Sequence, residues 1–223
     1  AFSQAFVPVL AASRQQQGDE ATHRLIDQVA SLLLAALLLT SVVGVVGAPV
    51  LVWLMASGLQ QSGQGFDVAV VLTRYMFPYI AFMSLVALAA GVLNTWKHFA
   101  VPAATPVLLN VAMIGAAWWG GPWLASMGIA PIYALAGGVM LGGVAQLGTQ
   151  LWALRRLGLL PRLRVSPSAL RQALHAEGPR RILQLMAPAL LGVSVAQISL
   201  LINTQIASHL TPGSVSWLSY ADR

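Results

Sequence analysis

Four long stretches of this chain contain no charged side chain. Asp, Glu, Lys and Arg are absent from 28–66, 75–96, 98–154 and 182–221. A helix of about 20 apolar residues is enough to cross a hydrocarbon layer about 30 Å thick, so each stretch can hold at least one such helix. Because 57% of the residues are hydrophobic and 8% are charged, the sequence predicts an integral membrane protein and argues against a soluble fold.

The basic residues are concentrated in one segment between two apolar stretches. Seven of the twelve Lys and Arg residues lie there: Arg155, Arg156, Arg162, Arg164, Arg171, Arg180 and Arg181. Cytoplasmic loops of membrane proteins carry such an excess, and anionic lipid headgroups are their neighbours. We therefore predict a cytoplasmic basic loop over 155–181 that contacts membrane lipids. A nucleic-acid partner is disfavoured because no aromatic residues are interleaved with the run.

Apolar runs and turn residues together predict an all-α polytopic membrane helix bundle. Pro78 should kink its helix, and Gly120, Gly121 and Pro122 should form a turn between two helices. Ser166 and Pro167 are typical of the N-cap and first residue of a short amphipathic helix inside the basic loop. The predicted spans are about 1–12, 27–56, 68–96, 101–120, 130–154, 182–209 and 214–223.

The distribution of basic residues between loops predicts the orientation of these spans. The loops after the first, third and fifth spans carry Lys or Arg, and the intervening loops carry none, apart from Arg74 a turn inside its helix. Such alternation is typical of a consistent topology with the basic loops in the cytoplasm. Both ends of the sequence fall inside apolar runs, so we interpret the chain as a piece of a longer membrane protein.

Several sequence runs resemble a known family. They are AFSQAFVPVL at 1–10, FPYI at 77–80, GVLNTWKHFAVPAATPVLLN at 91–110, APALLGVSVAQISLLINTQIAS at 187–208 and GSVSWLSYADR at 213–223. Together they resemble the MurJ (MviN) family of bacterial lipid II flippases, within the multidrug/oligosaccharidyl-lipid/polysaccharide exporter superfamily. The resemblance covers nearly the whole chain, and its motifs are specific.

The resemblance implies the family's fold of fourteen transmembrane helices in two lobes around a central cavity. This chain would run from within the second helix to the start of the eighth, which is most of the N-lobe, and the missing helices of the same protein would be its partners. A transporter rather than an enzyme is implied. Lipid II, a polyprenyl diphosphate-linked precursor, would move from the cytoplasmic to the periplasmic leaflet of the bacterial inner membrane by alternating access.

The strongest candidate for a substrate contact is Arg223, because it lies within an apolar helix and at the family's SWxxYADR motif. Intramembrane charges usually face a cavity, and the forked donors of arginine match phosphate oxygens. The alternative is that Arg223 pairs with a neighbouring carboxylate or reaches the membrane interface. Ser216, Ser219 and Tyr220 fall on the same side of the helix. They are candidates for the same cavity wall, and ordinary hydrogen bonding between helices explains them equally well.

The preceding span carries a polar stripe that should face protein or water. Its members, spaced within an arc of about 100° in helical projection, are Ser194, Gln197, Thr204, Gln205 and Ser208. Asn203 projects roughly opposite. In parts of the family this helix contributes to a cation site, so Asn203, Gln197 and Thr204 are candidates for cation or polar helix contacts. Neutral amides are weaker ligands than carboxylates, and the sequence favours packing between helices for all six.

Two other functions remain as alternatives. A related exporter of drugs or polysaccharide-lipid precursors would belong to the same superfamily, and acidic residues in the cavity would favour it. A membrane polyprenyl-phosphate enzyme would need carboxylates or histidines gathered for metal or acid–base chemistry, and only Asp222 lies inside a predicted span. We expect no cofactor and no metal site; coupling to Na⁺ or to the membrane potential is compatible with the sequence.

Overall fold

The fold of the chain is all-helical over the residues that the computed structural model describes, which are 2–57, 64–210 and 214–221. A π-helical segment, Ala116–Gly120, joins two of the helices. The helices in chain order are α1 (Phe2–Gln16), α2 (Gly18–Val46), α3 (Ala48–Ala56), α4 (Gln64–Met76), α5 (Tyr79–Thr95), α6 (Ala100–Gly115), α7 (Gly121–Ser126), α8 (Ile132–Arg156), α9 (Pro167–His175), α10 (Glu177–Ser208) and α11 (Ser214–Ala221).

Within the described part of the chain, five helical stretches are long and apolar enough to cross a membrane. They are Gly18–Val46, Gly65–Thr95, Ala100–Ser126, Ile132–Arg156 and Glu177–Ser208. The predicted class, an all-α polytopic membrane helix bundle, is confirmed. The exact limits of the membrane-crossing segments, including the predicted ends 1–12 and 214–223, remain predictions, since helix limits and membrane limits are different quantities.

Prolines interrupt two of the predicted spans. Between α4 and α5 the helix is broken at Phe77 and Pro78, where the Ile80 amide donates to the Phe77 carbonyl at 3.1 Å. This confirms the predicted effect of Pro78, which has no amide hydrogen to donate. The predicted span 27–56 is likewise divided at Gly47, with Pro49 in the first turn of α3.

The predicted turn at Gly120, Gly121 and Pro122 is wrong. The π-helical segment runs directly into α7, with helical backbone at Gly120 and Gly121 and with Pro122 in the first turn of α7. The chain reverses at Gly128 instead, whose φ of +75° lies in the left-handed region that glycine tolerates. Gly120 has a packing role, because a Cβ there would lie 3.1 Å from the Cβ of Ala134.

Inside the basic loop the predicted short helix is confirmed as α9. The Ser166 side chain accepts a hydrogen bond from the Ala169 amide at 3.4 Å, as an N-cap does. Pro167 follows as the first helical residue, and the helix ends at His175. The residues before it, 159–166, have no regular secondary structure and connect α8 to α9. We call this segment the strap, and we call the end of the bundle that carries it the basic end.

The core lies where α1, α2, α5 and α8 meet. Its buried side chains include Phe6, Leu10, Ile26, Leu93 and Leu154. The helices approach closely where glycine leaves room: a Cβ on Gly91 would lie 2.9 Å from the Phe6 ring. Much of the exposed surface is apolar, as expected for helices that face lipid or further protein.

Two glycines on α8, Gly138 and Gly142, let α6 approach closely. A Cβ on Gly138 would lie 2.5 Å from the Cβ of Ala116 and 3.1 Å from the Ala112 carbonyl oxygen. A Cβ on Gly142 would lie 2.7 Å from the Leu109 side chain. Small residues spaced by four are the usual means of close helix packing in membranes.

Candidate functional site

The predicted substrate contacts lie on α11 and just beyond it. Ser216 and Tyr220 are exposed on α11, and Tyr220 keeps 73% of its surface accessible. The structure describes the helix at Ser219 but not its side chain, and Arg223 lies outside the described residues. The contact between Arg223 and a diphosphate therefore remains a prediction.

The polar residues of α10 fall into two groups. Ser194 and Thr204 each donate a hydrogen bond to the carbonyl four residues earlier, at 2.7 and 2.8 Å, so their hydroxyl hydrogens are satisfied within the helix. Gln197 and Asn203 are exposed and make no hydrogen bond to a described residue. An exposed amide in a membrane-crossing helix must face water or further protein, because lipid tails cannot hydrogen-bond it.

A second polar group joins α10 to the end of α3. Gln205 donates from Nε2 to the Ser57 Oγ at 2.6 Å and accepts from the Ser57 amide at 3.0 Å. The Ser57 Oγ also lies 3.0 Å from Nε2 of His209. We call Ser57, Gln205 and His209 the α3–α10 cluster. It lies at the end of α10 away from the basic end and holds that end against α3.

One group of buried polar residues lies between α6 and α8. Gln146 donates to the Thr105 carbonyl at 3.1 Å, and Gln150 donates to the Thr105 Oγ1 at 2.9 Å. All three side chains are buried, and the Oε1 atoms of both glutamines have no hydrogen-bond partner among the described residues. This group is a polar contact between two helices, separate from the polar residues of α10 and α11.

At the basic end, two arginines lie over tryptophan rings. Arg14 donates from Nη1 to the Thr95 carbonyl at 2.9 Å, and its guanidinium lies 4.5 Å from the centre of the Trp96 ring. These contacts connect α1 to the end of α5. Arg156 similarly stacks on Trp152 at 4.0 Å. Such cation–π contacts are typical of arginines that anchor aromatic residues.

Comparison with known proteins gives a consistent result over the full chain. The sequence model of the family described as lipid II flippase MurJ matches residues 1–223. The lipid II flippase MurJ of Burkholderia cenocepacia is 51% identical over 223 residues, which is all of this chain and 42% of that protein. The chain belongs to the MurJ family.

Two further MurJ relatives agree with this assignment. The probable lipid II flippases of Haemophilus influenzae and Vibrio cholerae are 41% and 39% identical, and both alignments cover all of this chain. This chain spans 43% and 42% of those proteins. It therefore corresponds to less than half the length of the MurJ relatives that it matches.

The family resemblance indicates α11 and helical spacing indicates the polar stripe of α10, but neither predicts which contacts α10 makes. Gln205 belongs to the stripe, whereas its partner Ser57 lies just beyond the predicted span 27–56 and His209 is the last residue of the predicted span 182–209. The buried group of Thr105, Gln146 and Gln150 was missed as well. Its only sequence signal is two glutamines spaced by four in an apolar stretch, which places them on one helix face.

Proposed function

We propose that this chain forms most of the N-lobe of a lipid II flippase, which moves lipid II from the cytoplasmic to the periplasmic leaflet by alternating access. The observation that carries the proposal is the family match over residues 1–223, together with 51% identity to a lipid II flippase. The all-helical, largely apolar bundle supports it, because a flippase must offer a polar substrate a path through hydrocarbon.

Arg223 is the residue that we propose to hold the diphosphate of the substrate. A guanidinium stays charged in apolar surroundings and binds phosphate through paired donors. The exposure of Ser216 and Tyr220 on α11 supports a cavity wall on this helix, and we include Ser219 by its spacing. Thr204, Gln197 and Asn203 we assign to polar contacts between helices; the hydrogen bond from Thr204 to the Leu200 carbonyl supports that role for Thr204.

The proposed setting is the bacterial inner membrane, with the basic end in the cytoplasm. Seven arginines within 155–181 support this orientation. The partners are then lipid II, membrane lipids and the missing helices of the same protein.

Complementation tests both the function and the role of Arg223. The complete protein should restore growth and shape to cells depleted of their own lipid II flippase. Arg223→Ala should abolish rescue, and Arg223→Lys should weaken it, because a single ammonium keeps the charge but loses the paired donors. The matched control is Arg74→Ala, which removes an exposed arginine near a helix end and should leave rescue intact.

The two parts of the proposal can fail separately. Failure of the wild-type protein to rescue, despite normal amounts in the membrane, would contradict the flippase function. Full rescue by Arg223→Ala would contradict the role of Arg223 and leave the function standing. Equal loss with Arg74→Ala would indicate a general need for positive charge.

A further inference from the structure

The strap is held against α2 by its backbone. The Arg162 amide donates to Oδ1 of Asp27 at 2.8 Å, and the Arg164 amide donates to Oγ of Ser31 at 3.0 Å. Ser31 in turn donates to the Asp27 carbonyl at 2.7 Å. Because these bonds use main-chain donors, they fix the course of the strap and leave both guanidinium groups for other partners.

One side of the strap borders a polar cleft of about 640 Å³, and Arg162 and Arg164 line it together with the first turns of α2. The carboxylates of this cleft are already engaged: Glu20 pairs with Arg24 at 2.6 Å, and Asp27 accepts from the strap. Neither Arg162 nor Arg164 forms an ion pair with a described residue. The lining carries three arginines, Arg24, Arg162 and Arg164, against the two carboxylates, so the cleft keeps a net positive charge.

The other side of the strap covers an apolar crevice of about 80 Å³ between α2, α5 and α8. Pro161 and Leu163 line it on the strap side, and side chains such as Ile26, Leu88 and Leu147 form its other walls. In extended backbone, successive residues point to opposite sides, which separates Pro161 and Leu163 from Arg162 and Arg164. An apolar space of this kind stays dry and accepts an apolar ligand.

We propose that the strap is a binding site for an anionic phospholipid. The phosphate binds Arg162 and Arg164 in the cleft, and part of an acyl chain enters the crevice beneath Pro161 and Leu163. Paired guanidinium donors match phosphate oxygens, and a polar cleft beside an apolar crevice matches a headgroup joined to its chain. This site rests on the membrane-lipid contacts proposed above for the basic end, and it does not require lipid II transport.

The extent of the crevice favours a resident phospholipid over a transported lipid. Its walls run from Ile26 to Leu34 on α2 and from Leu147 to Leu154 on α8. At 1.5 Å per residue this is about 12 Å of helix, which is less than half of a hydrocarbon layer about 30 Å thick. A substrate that crosses the bilayer needs a longer path than this crevice provides.

Native mass spectrometry of the complete protein tests the site. The probes are phosphatidylglycerol, zwitterionic phosphatidylethanolamine and a polyprenyl diphosphate. Arg162→Gln with Arg164→Gln keeps both backbone amides that hold the strap and removes both charges. We expect binding of phosphatidylglycerol to fall roughly tenfold to thirtyfold and that of phosphatidylethanolamine to change little. Leu147→Phe, which narrows the crevice, should weaken binding of both phospholipids.

The matched control is Arg180→Gln with Arg181→Gln, which removes the same charge from exposed positions of the basic loop that do not line the cleft. Its phosphatidylglycerol binding should change less than about twofold. Equal losses in the two double variants would overturn the proposal in favour of a diffuse positive surface. Tighter retention of the polyprenyl diphosphate than of phosphatidylglycerol, lost in the strap variant, would overturn it in favour of a substrate site. Unchanged melting temperatures ensure that each variant is folded.

Discussion

The helices α8 and α10 are similar in sequence character and differ sharply in how they pack. Both are long and apolar enough to cross a membrane. Along α8, Gly138 and Gly142 sit against α6, and Gln146 and Gln150 are buried. Along the middle of α10, by contrast, side chains such as Leu191 remain 72% exposed.

The difference shows that the features which place a helix in the membrane are not those which select its packing partner. Length and hydrophobicity place a helix in the membrane, whereas small residues and buried amides select the helix that it packs against. On α10 the buried apolar residues, Ile182 and Ala207, lie near its two ends. Since the chain spans 42% of its Burkholderia cenocepacia relative, we expect the exposed middle of α10 to face the remainder of the protein or a water-filled cavity.

The largest expected effect on stability comes from adding a methyl group where α6 and α8 are in contact. Gly138→Ala would place a methyl group 2.5 Å from the Cβ of Ala116, and overpacking of this kind costs about 1–3 kcal/mol. Gly137→Ala is the matched control, because nothing lies within 4 Å of its Cβ position. Thermal unfolding of the complete protein in detergent should separate the two variants. Equal melting temperatures would contradict the close contact between α6 and α8.

The features that could be predicted from the sequence are those that depend on a residue and its immediate neighbours, such as helix breaks and helix caps. Pro78 breaks its helix and Ser166 caps α9 because each effect depends on a residue and its immediate neighbours. The turn assigned to Gly120 was wrong because glycine can serve packing as well as reversal, and only the neighbouring Ala134 reveals which. Ser57 and Gln205 are 148 positions apart, so their pairing depends on the arrangement of helices.

For the candidate site, the family resemblance supplied Arg223, and no pattern predicted the polar cleft and apolar crevice on the two sides of the strap.

A smaller effect is expected from the buried polar group of α8. Thr105→Val removes the hydroxyl that accepts from Gln150 and leaves a buried amide without its partner, which should cost about 1–2 kcal/mol. Gln150→Met should cost less, because it also removes the Oε1 atom that lacks a partner among the described residues. The double variant should therefore unfold at a higher temperature than Thr105→Val alone. If the unfolding free energy of the double variant fell by the sum of the two single losses, the hydrogen bond between these side chains would be contradicted.

The smallest expected effect lies on α10 and tests the comparison most directly. Gln205→Leu removes two hydrogen bonds to Ser57, and interhelical hydrogen bonds in membranes contribute about 0.6 kcal/mol each on average. The unfolding free energy of the Gln205→Leu variant should therefore fall by about 1 kcal/mol. Gln197→Leu, at an exposed position without a hydrogen bond to a described residue, should change it by less than about 0.5 kcal/mol. If Gln197→Leu were the more damaging change in the complete protein, the middle of α10 would be packed as tightly as α8. The two helices would then differ only in which part of the protein covers them.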